Sequence, residues 1–530
     1  MVTTAALVPA STVRAPNGMV CAVDHLAASA GVAMLRAGGT AADAAVAASA
    51  VLAVSNQHMC GMGGDLFALV HHTPGGPPAA LNASGRAGSG SDADRLLAEG
   101  HGAVPFKSDI RSATVPGCVD GWVTLHQRFG RLPLADVLAP AMGYAADGFP
   151  ASATLALSYT AVADVAGAED YAALRDGGVG TLIRRPGVAA SLRAIADGGR
   201  DAFYLGEFGQ GLRRLGGGLY SEADLQGSQA EWVEPLGLSA WGHDVWTLPP
   251  NSQGYLSVAG AWLAERLPIP DEPDDEAWAH FLIEAAKQAG YDRLDVLHDR
   301  ADGAGLVASD RLGPRLAAIS DRAGSLGGPG RSGDTIYLCA VDGDRGAVSL
   351  IQSNASGWGC HVVEPSTRIF LHNRAIGFSL EPGHPARLVA GRRPPHTLAP
   401  ALVTDTGGAL RAVLGTMGGD AQPQVVLQLL ARLIGCGQEP GEAVSAGRWR
   451  LSQDRSSGFD TWADPGSISV ELEGHSPPWD AGLTGRGHRV RRIEAHSGAF
   501  GHAHAIEVTP DGVLAGASDH RARSGGAVGW

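Results

Sequence analysis

A strand-like run over residues 335–341 begins with a threonine, directly after Gly333 and Asp334. If the chain is cut between Asp334 and Thr335, the Thr335 hydroxyl sits beside its own free α-amine. Such an amine titrates at about 7.7–8 and can take the hydroxyl's proton near neutral pH. That is the N-terminal threonine form of an activated nucleophile. Threonine is also common at ordinary strand starts, so the motif alone leaves both readings open. A second feature is Gly415-Thr-Met-Gly418-Gly419-Asp420, between a strand-like and a helix-like run. Adjacent glycine N–H groups there suit an oxyanion hole, and equally a plain strand-to-helix turn. A third is Arg86 in LNASGRAGSG, a carboxylate-binding fork or simply a surface arginine.

The elements that must position these residues read as follows. Helices are expected over 25–36, from Thr40 onward, and over 133–147, 187–198 and 275–298, with residues 105–300 mostly helical. Strands are expected over 66–71, 335–341, 346–351, 398–404, 410–414, 489–493 and 505–508, with DGDR as a hairpin turn. A helix is expected over 424–434. The Gly/Ser/Pro-rich stretch 324–333 before Thr335 reads as exposed and mobile. By period two, Cys339 shares a face with Thr335 and Tyr337, and reads as a packing residue.

Composition narrows the function. The 530 residues carry a formal charge of −14 and no Lys/Arg-rich block, which argues against nucleic acid. No apolar run is long enough to span a membrane. The first residues lack a basic segment before an apolar stretch, and the six cysteines form no CxxC pair, so the expected location is cytoplasmic. Glycine, at 75 residues, is about twice its usual share and implies tight turns and close backbone approaches. The CGMGGD loop follows a helix and precedes a strand, without phosphate-loop spacing, so it reads as close packing. His71, His72, His361, His372, His502 and His504 are of a metal-ligating type, but no HExxH-like spacing supports a metal. Neither a metal nor another cofactor is expected.

Together the motifs resemble the gamma-glutamyltranspeptidase family of N-terminal nucleophile hydrolases, nearest its oxamate amidohydrolase and acylase branch. The resemblance runs through GGTAADAAVAASAVLAV, HMCGMGGDLF, the Arg86 loop, TVPGCVDGWVTLHQRFGRLPLADVLAPAMGYAADGFP, RDAFYLGE, GDTIYLCAVDGDRGAVSL, RRPPHTLAPALV and GTMGGD. It implies an α+β, four-layer αββα sandwich. It implies autocatalytic cleavage between Asp334 and Thr335, giving a large subunit 1–334 and a small subunit 335–530 intertwined in one body. It leaves open a homodimer of these processed pairs. Thr335 would be the nucleophile, Gly418 and Gly419 the oxyanion donors, Ser353 a supporting hydroxyl, and Arg86 the holder of a substrate carboxylate.

Departures from the family pattern bear on the substrate. Ile336 stands where a second threonine is frequent, and His396-Thr397 replace a carboxylate-binding serine pair. Where glutamyl-specific members hold the substrate's amino group, the matching positions are Ala355, Arg374 and Gly377, with Asn373 adjacent. A substrate ammonium beside Arg374 would meet like-charge repulsion. The expected substrate is therefore a small acidic amide, oxamate-like or glutaryl-like, passing its acyl group to water or an amine. The alternatives are a genuine gamma-glutamyl transferase or glutathione hydrolase, and a non-catalytic relative that binds small acids.

Overall fold

The computed structural model describes residues 10–72, 75–324, 334–453, 461–462 and 468–530, with Asp334 in its backbone only. Most of the expected mobile stretch, residues 325–333, lies outside the described residues.

Two seven-stranded sheets stack face to face. The first runs Gly526–Gly529, Met19–Ala22, Asp334–Val341, Ala347–Ala355, Asp65–His71, Ala79–Ala83, Glu231–Val233. The second runs Val13–Ala15, Leu514–Ser518, Ala503–Val508, Leu410–Thr416, Ala401–Thr404, His243–Thr247, Leu236–Ala240. All their pairings are antiparallel. Period two sorts the side chains between layers. Tyr337, Cys339 and Val341 point between the sheets and pack with Phe67, Ile351, Leu402 and Val413. Ile336, Leu338 and Ala340 point outward under the helices His25–Arg36 and Ala41–Ser55. Ile336 thus belongs to the helix-facing core, and Cys339 is a fully buried packing residue between the sheets.

Ala41–Ser55 is buried on every side, which its alanines allow by letting neighbours approach closely. Thr40 starts it with a capping box to Asp43. On the far side, Tyr255–Glu265, Glu276–Gly290 and Gln422–Leu430 cover the second sheet. The order of layers is helices, sheet, sheet, helices, the expected αββα sandwich.

The stretch 105–300 is mostly helical, as expected, and two expected helices end early; the helical stretch is interrupted by the strands Glu231–Val233, Leu236–Ala240 and His243–Thr247. The last two form an edge hairpin whose turn residues Trp241 and Gly242 both take positive φ. The helix expected to residue 298 stops at Gly290, and only a short turn, Arg293–Val296, follows. The helix expected over 424–434 leaves α geometry after Leu430 and ends as a π turn, Ala431–Gly435.

The CGMGGD glycines permit close approach. A Cβ on Gly63 would lie 2.2 Å from the Phe370 carbonyl oxygen, and one on Gly64 2.4 Å from that of Ser353. Gly64→Ala therefore forces backbone to move beneath Ser353. It is expected to destabilise the fold by about 1–3 kcal/mol, read as a lower denaturation midpoint, and to reduce activity.

Candidate active site

Thr335 sits at an irregularity in its hairpin. Asp334 pairs with Ala355 and Ile336 with Gln352, so Ser353 and Asn354 together face Thr335. Such bulges re-aim side chains next to active sites. Here the Thr335 Oγ1 donates to Ser353 Oγ at 3.0 Å. The backbone N–H of Ala355, a residue at φ 70°, donates to the same Ser353 Oγ at 2.8 Å. Thr335 is fully buried.

Arg374 reaches this pair from the turn Arg374–Gly377. Its Nη2 donates to Ser353 Oγ at 3.1 Å and its Nη1 to Thr397 Oγ1 at 3.2 Å. Burial, with Arg293 adding to it, pushes the guanidinium down to about 10, while Asp65 and Asp420 oppose the fall. Arg374 therefore remains a cation near neutral pH. Arg374, Thr397 and Arg293 line one cavity of about 530 Å³, with Phe378 and Leu380 as apolar wall. Asp295 and Glu381 also line it, but both are exposed, whereas the two arginines are buried. Solvent screens the rim carboxylates far more than the buried arginines, whose charge is offset from behind by buried Asp420 and Asp65.

The loop after the strand Leu410–Thr416 supplies the second half of the site. Gly418 takes φ 131° and Gly419 φ 58°, conformations that favour glycine. Neither N–H meets a hydrogen-bond acceptor among the described residues. Two glutamines absent from the sequence-based expectations hold this loop. Gln253 Nε2 donates to the Gly419 and Thr397 carbonyls, both at 2.9 Å, and its Oε1 accepts from Arg293 Nε at 2.8 Å. Gln422 Nε2 approaches Thr335 Oγ1 at 3.4 Å, and its Oε1 accepts the Ala399 N–H. Arg293 also pairs with Asp420 at 3.5 Å.

Asp65 is the buried hub beneath. Its Oδ1 accepts the N–H groups of Gly85 and Gly117, and its Oδ2 lies 3.1 Å from His396 Nε2 and 3.4 Å from His372 Nδ1. Burial opposes its ionisation, yet His372 and His396 hold it well below the usual carboxylate range. Burial and then Arg374 push His396 down to about 3, so its ring is neutral. With Nε2 donating to Asp65 and Nδ1 accepting the Leu398 N–H at 3.3 Å, both ring nitrogens are engaged.

Of the residues expected to bind substrate, the structure brings Arg374 and Thr397 to the cavity; Arg374 links it to Ser353, which with Thr335 is buried behind the lining. It does not bring Asn373, His396 or Arg86 there. Asn373 is buried, with Oδ1 accepting from Ser356 N–H and Nδ2 donating to the Phe106 carbonyl. It and His396 position the site rather than face it. Arg86 lies elsewhere, bonded to Glu231 at 3.2 Å beside buried Arg393, which takes the same carboxylate. Among the described residues, His71, His72, His361, His372, His502 and His504 form no group of three that could share an ion; His71, for instance, lies 3.3 Å from the Arg345 carbonyl oxygen and 3.0 Å from that of Gly408.

Buried histidines give the fold a pH dependence. Burial pushes His58, His396 and His504 down to about 3 and His502 to about 4. Unfolded, each binds a proton below about 6.5, while the folded state stays neutral. Their contribution is thus complete above pH ~6.5 and lost as pH falls toward 3–4. Stability is expected to drop by up to ~1.4 kcal/mol per pH unit for each histidine below pH ~6. Urea midpoints measured from pH 7.5 to 5 check this, and a flat profile contradicts it.

Residues 27–530 match the gamma-glutamyltranspeptidase family. The oxamate amidohydrolase proenzyme of Klebsiella pneumoniae is 37% identical, over 97% of this chain and 98% of its own. The glutathione hydrolase-like YwrD proenzyme of Bacillus subtilis is 34% identical, over 96% and 98%. Among solved structures, the cephalosporin acylase of Bacillus halodurans superposes with a TM-score of 0.89 at 32% identity, covering 100% of this chain and 99% of that one. The chain belongs to the gamma-glutamyltranspeptidase family.

Proposed function

We propose that this enzyme is a self-processing N-terminal threonine amidohydrolase that cleaves a small acidic acyl amide, oxamate-like or glutaryl-like, through an acyl-enzyme. The observation that carries this reading is the buried cation Arg374. It lines the cavity and touches Ser353, whose hydroxyl touches Thr335. The relatives named oxamate amidohydrolase proenzyme and acylase proenzyme support it.

In processing, Thr335 Oγ1 attacks the Asp334 carbonyl carbon. The peptide C–N bond breaks as the acyl group moves to oxygen, and water then hydrolyses that ester. This leaves the Asp334 carboxylate and a free Thr335 α-amine, with subunits 1–334 and 335–530. In turnover the α-amine takes the hydroxyl proton and Oγ1 attacks the substrate carbonyl. Gly418 and Gly419 N–H groups receive the oxyanion. The proton passes to the leaving amine, and water, deprotonated by the same α-amine, releases the acid. Arg374, Arg293 and Thr397 hold the substrate's carboxylate.

Mass spectrometry with N-terminal sequencing tests the processing step. Two chains are expected, one beginning at Thr335, their masses summing to 54.2 kDa plus one water. A panel of monoamides then tests the substrate class. Oxamate-type and glutaryl amides are expected to exceed gamma-glutamyl-p-nitroanilide in kcat/KM, and efficient gamma-glutamyl turnover overturns that assignment.

A further inference from the structure

Three histidines far apart in sequence converge outside the candidate active site. His475 follows the strand Ser469–Glu473, His496 follows Val490–Ile493, and His520 opens the turn His520–Ala522. One ring nitrogen of each lies within 4.8 Å of the other two. His496 Nδ1 and His520 Nε2 stand 2.5 Å apart. That is inside the ~2.7 Å lower end of ordinary nitrogen hydrogen bonds, so a shared cation would relieve the approach. The His475 ring stacks on His496 at 4.5 Å; its Nε2 lies 3.3 Å from the Ser445 carbonyl oxygen, and its buried Nδ1 has no hydrogen-bond partner among the described residues.

A buried ionic network lies beneath the three histidines. Glu473 and Asp519 stand behind the site, 3.8 Å from His475 Nδ1 and 3.9 Å from His520 Nδ1. Glu473 Oε1 also accepts the His496 N–H at 2.9 Å. Arg521 and Arg448 neutralise these carboxylates, with Arg521 Nε donating to Glu473 at 2.8 Å and Arg448 Nη2 to Asp519 at 2.8 Å. The carboxylates are thus held by the arginines rather than free to bind an ion themselves. All three side chains are half-buried, so an ion from solvent can enter.

A second cluster, His280, Glu284 and His488, lacks this opportunity. Lys287 Nζ already lies 2.7 Å from Glu284 Oε1 and 3.4 Å from His488 Nδ1, and supplies the positive charge there.

We propose that His475, His496 and His520 form a binding site for a divalent transition-metal ion, Zn2+ by coordination preference, with the fourth position open to water. Zinc–nitrogen bonds of about 2.05 Å in a tetrahedron separate the nitrogens by about 3.3 Å. The His496–His520 pair, at 2.5 Å, must then open on binding. The site is structural in position. Asp519 also accepts the Ala503 N–H at 2.9 Å, and Arg448 Nη1 donates to the Phe500 carbonyl at 2.7 Å. The intervening Gly501 packs against Gly418, so an ion here braces the segment beside the oxyanion loop.

Titration calorimetry with Zn2+ on tag-free, full-length protein tests this. One ion per chain is expected, with affinity reduced at least tenfold in His496→Ala and in His520→Gln, and unchanged in His25→Ala, whose ring is exposed elsewhere. Co2+ is expected to give the intense visible bands of tetrahedral coordination in the parent protein and not in either variant. Matching circular dichroism shows that the variants are folded. Equal zinc affinity in the parent and in both folded variants, or an octahedral cobalt spectrum, overturns the proposal.

Discussion

Thr335→Ala is expected to yield an uncut 54.2 kDa chain with no measurable amide hydrolysis. Removing a nucleophile that acts as one unit with its base lowers kcat by about a millionfold. Here the loss is double, because the same hydroxyl would both cut the precursor and attack the substrate. Folding should survive. The substitution removes one hydroxyl and one methyl from a fully buried site, and Ser353 keeps its bonds to Arg374 and the Ala355 N–H. A stability change of about 2 kcal/mol is expected from the lost hydrogen bond and the lost methyl together. Thr335→Ser supplies the control: it retains a hydroxyl within reach of Ser353 and should process and turn over, though more slowly. Intact mass read over days, with substrate hydrolysis measured in parallel, decides the matter. A Thr335→Ala chain that is still cut before residue 335 removes Thr335 as the processing nucleophile.

The parts of this site that were legible in the sequence are those whose chemistry is local. The strand starting at Thr335, the paired glycines at Gly418 and the capped alanine helix each declare themselves within a few residues. Period two also explains Ile336, whose unusual identity proves to concern the helix-facing core. The supports act across distance instead. Asp65 and His396 meet over a separation of 331 residues, and Gln253 and Gly419 over 166. No short spacing encodes such pairs. The strands Leu236–Ala240 and His243–Thr247 escaped for a different reason: they are short and half-exposed, and their pattern hardly contrasts with the surrounding helices. His396 illustrates the limit on side-chain roles. Its type suggests a donor to substrate, and only the fold reveals that Asp65 and the Leu398 N–H already engage both nitrogens.

Arg374→Gln carries the second large effect, on an acidic amide specifically. The substitution keeps a polar group near Ser353 and Thr397 but removes the charge. A buried cation meeting a substrate carboxylate through charge-assisted bonds contributes about 2–3 kcal/mol, so kcat/KM on an oxamate-like or glutaryl amide is expected to fall about 100-fold. Arg374→Lys retains charge without the planar fork, and should lie between parent and glutamine variant. The change also leaves Asp65 and Asp420 with one fewer nearby cation, so a lower melting temperature is expected alongside the kinetic loss. The comparison that isolates the substrate contact uses a neutral amide of similar size. If Arg374 holds the substrate's charge, the acidic amide loses far more than the neutral one. Equal losses on both would mean that Arg374 acts through Ser353 on Thr335, and the acidic substrate class would lose its physical basis.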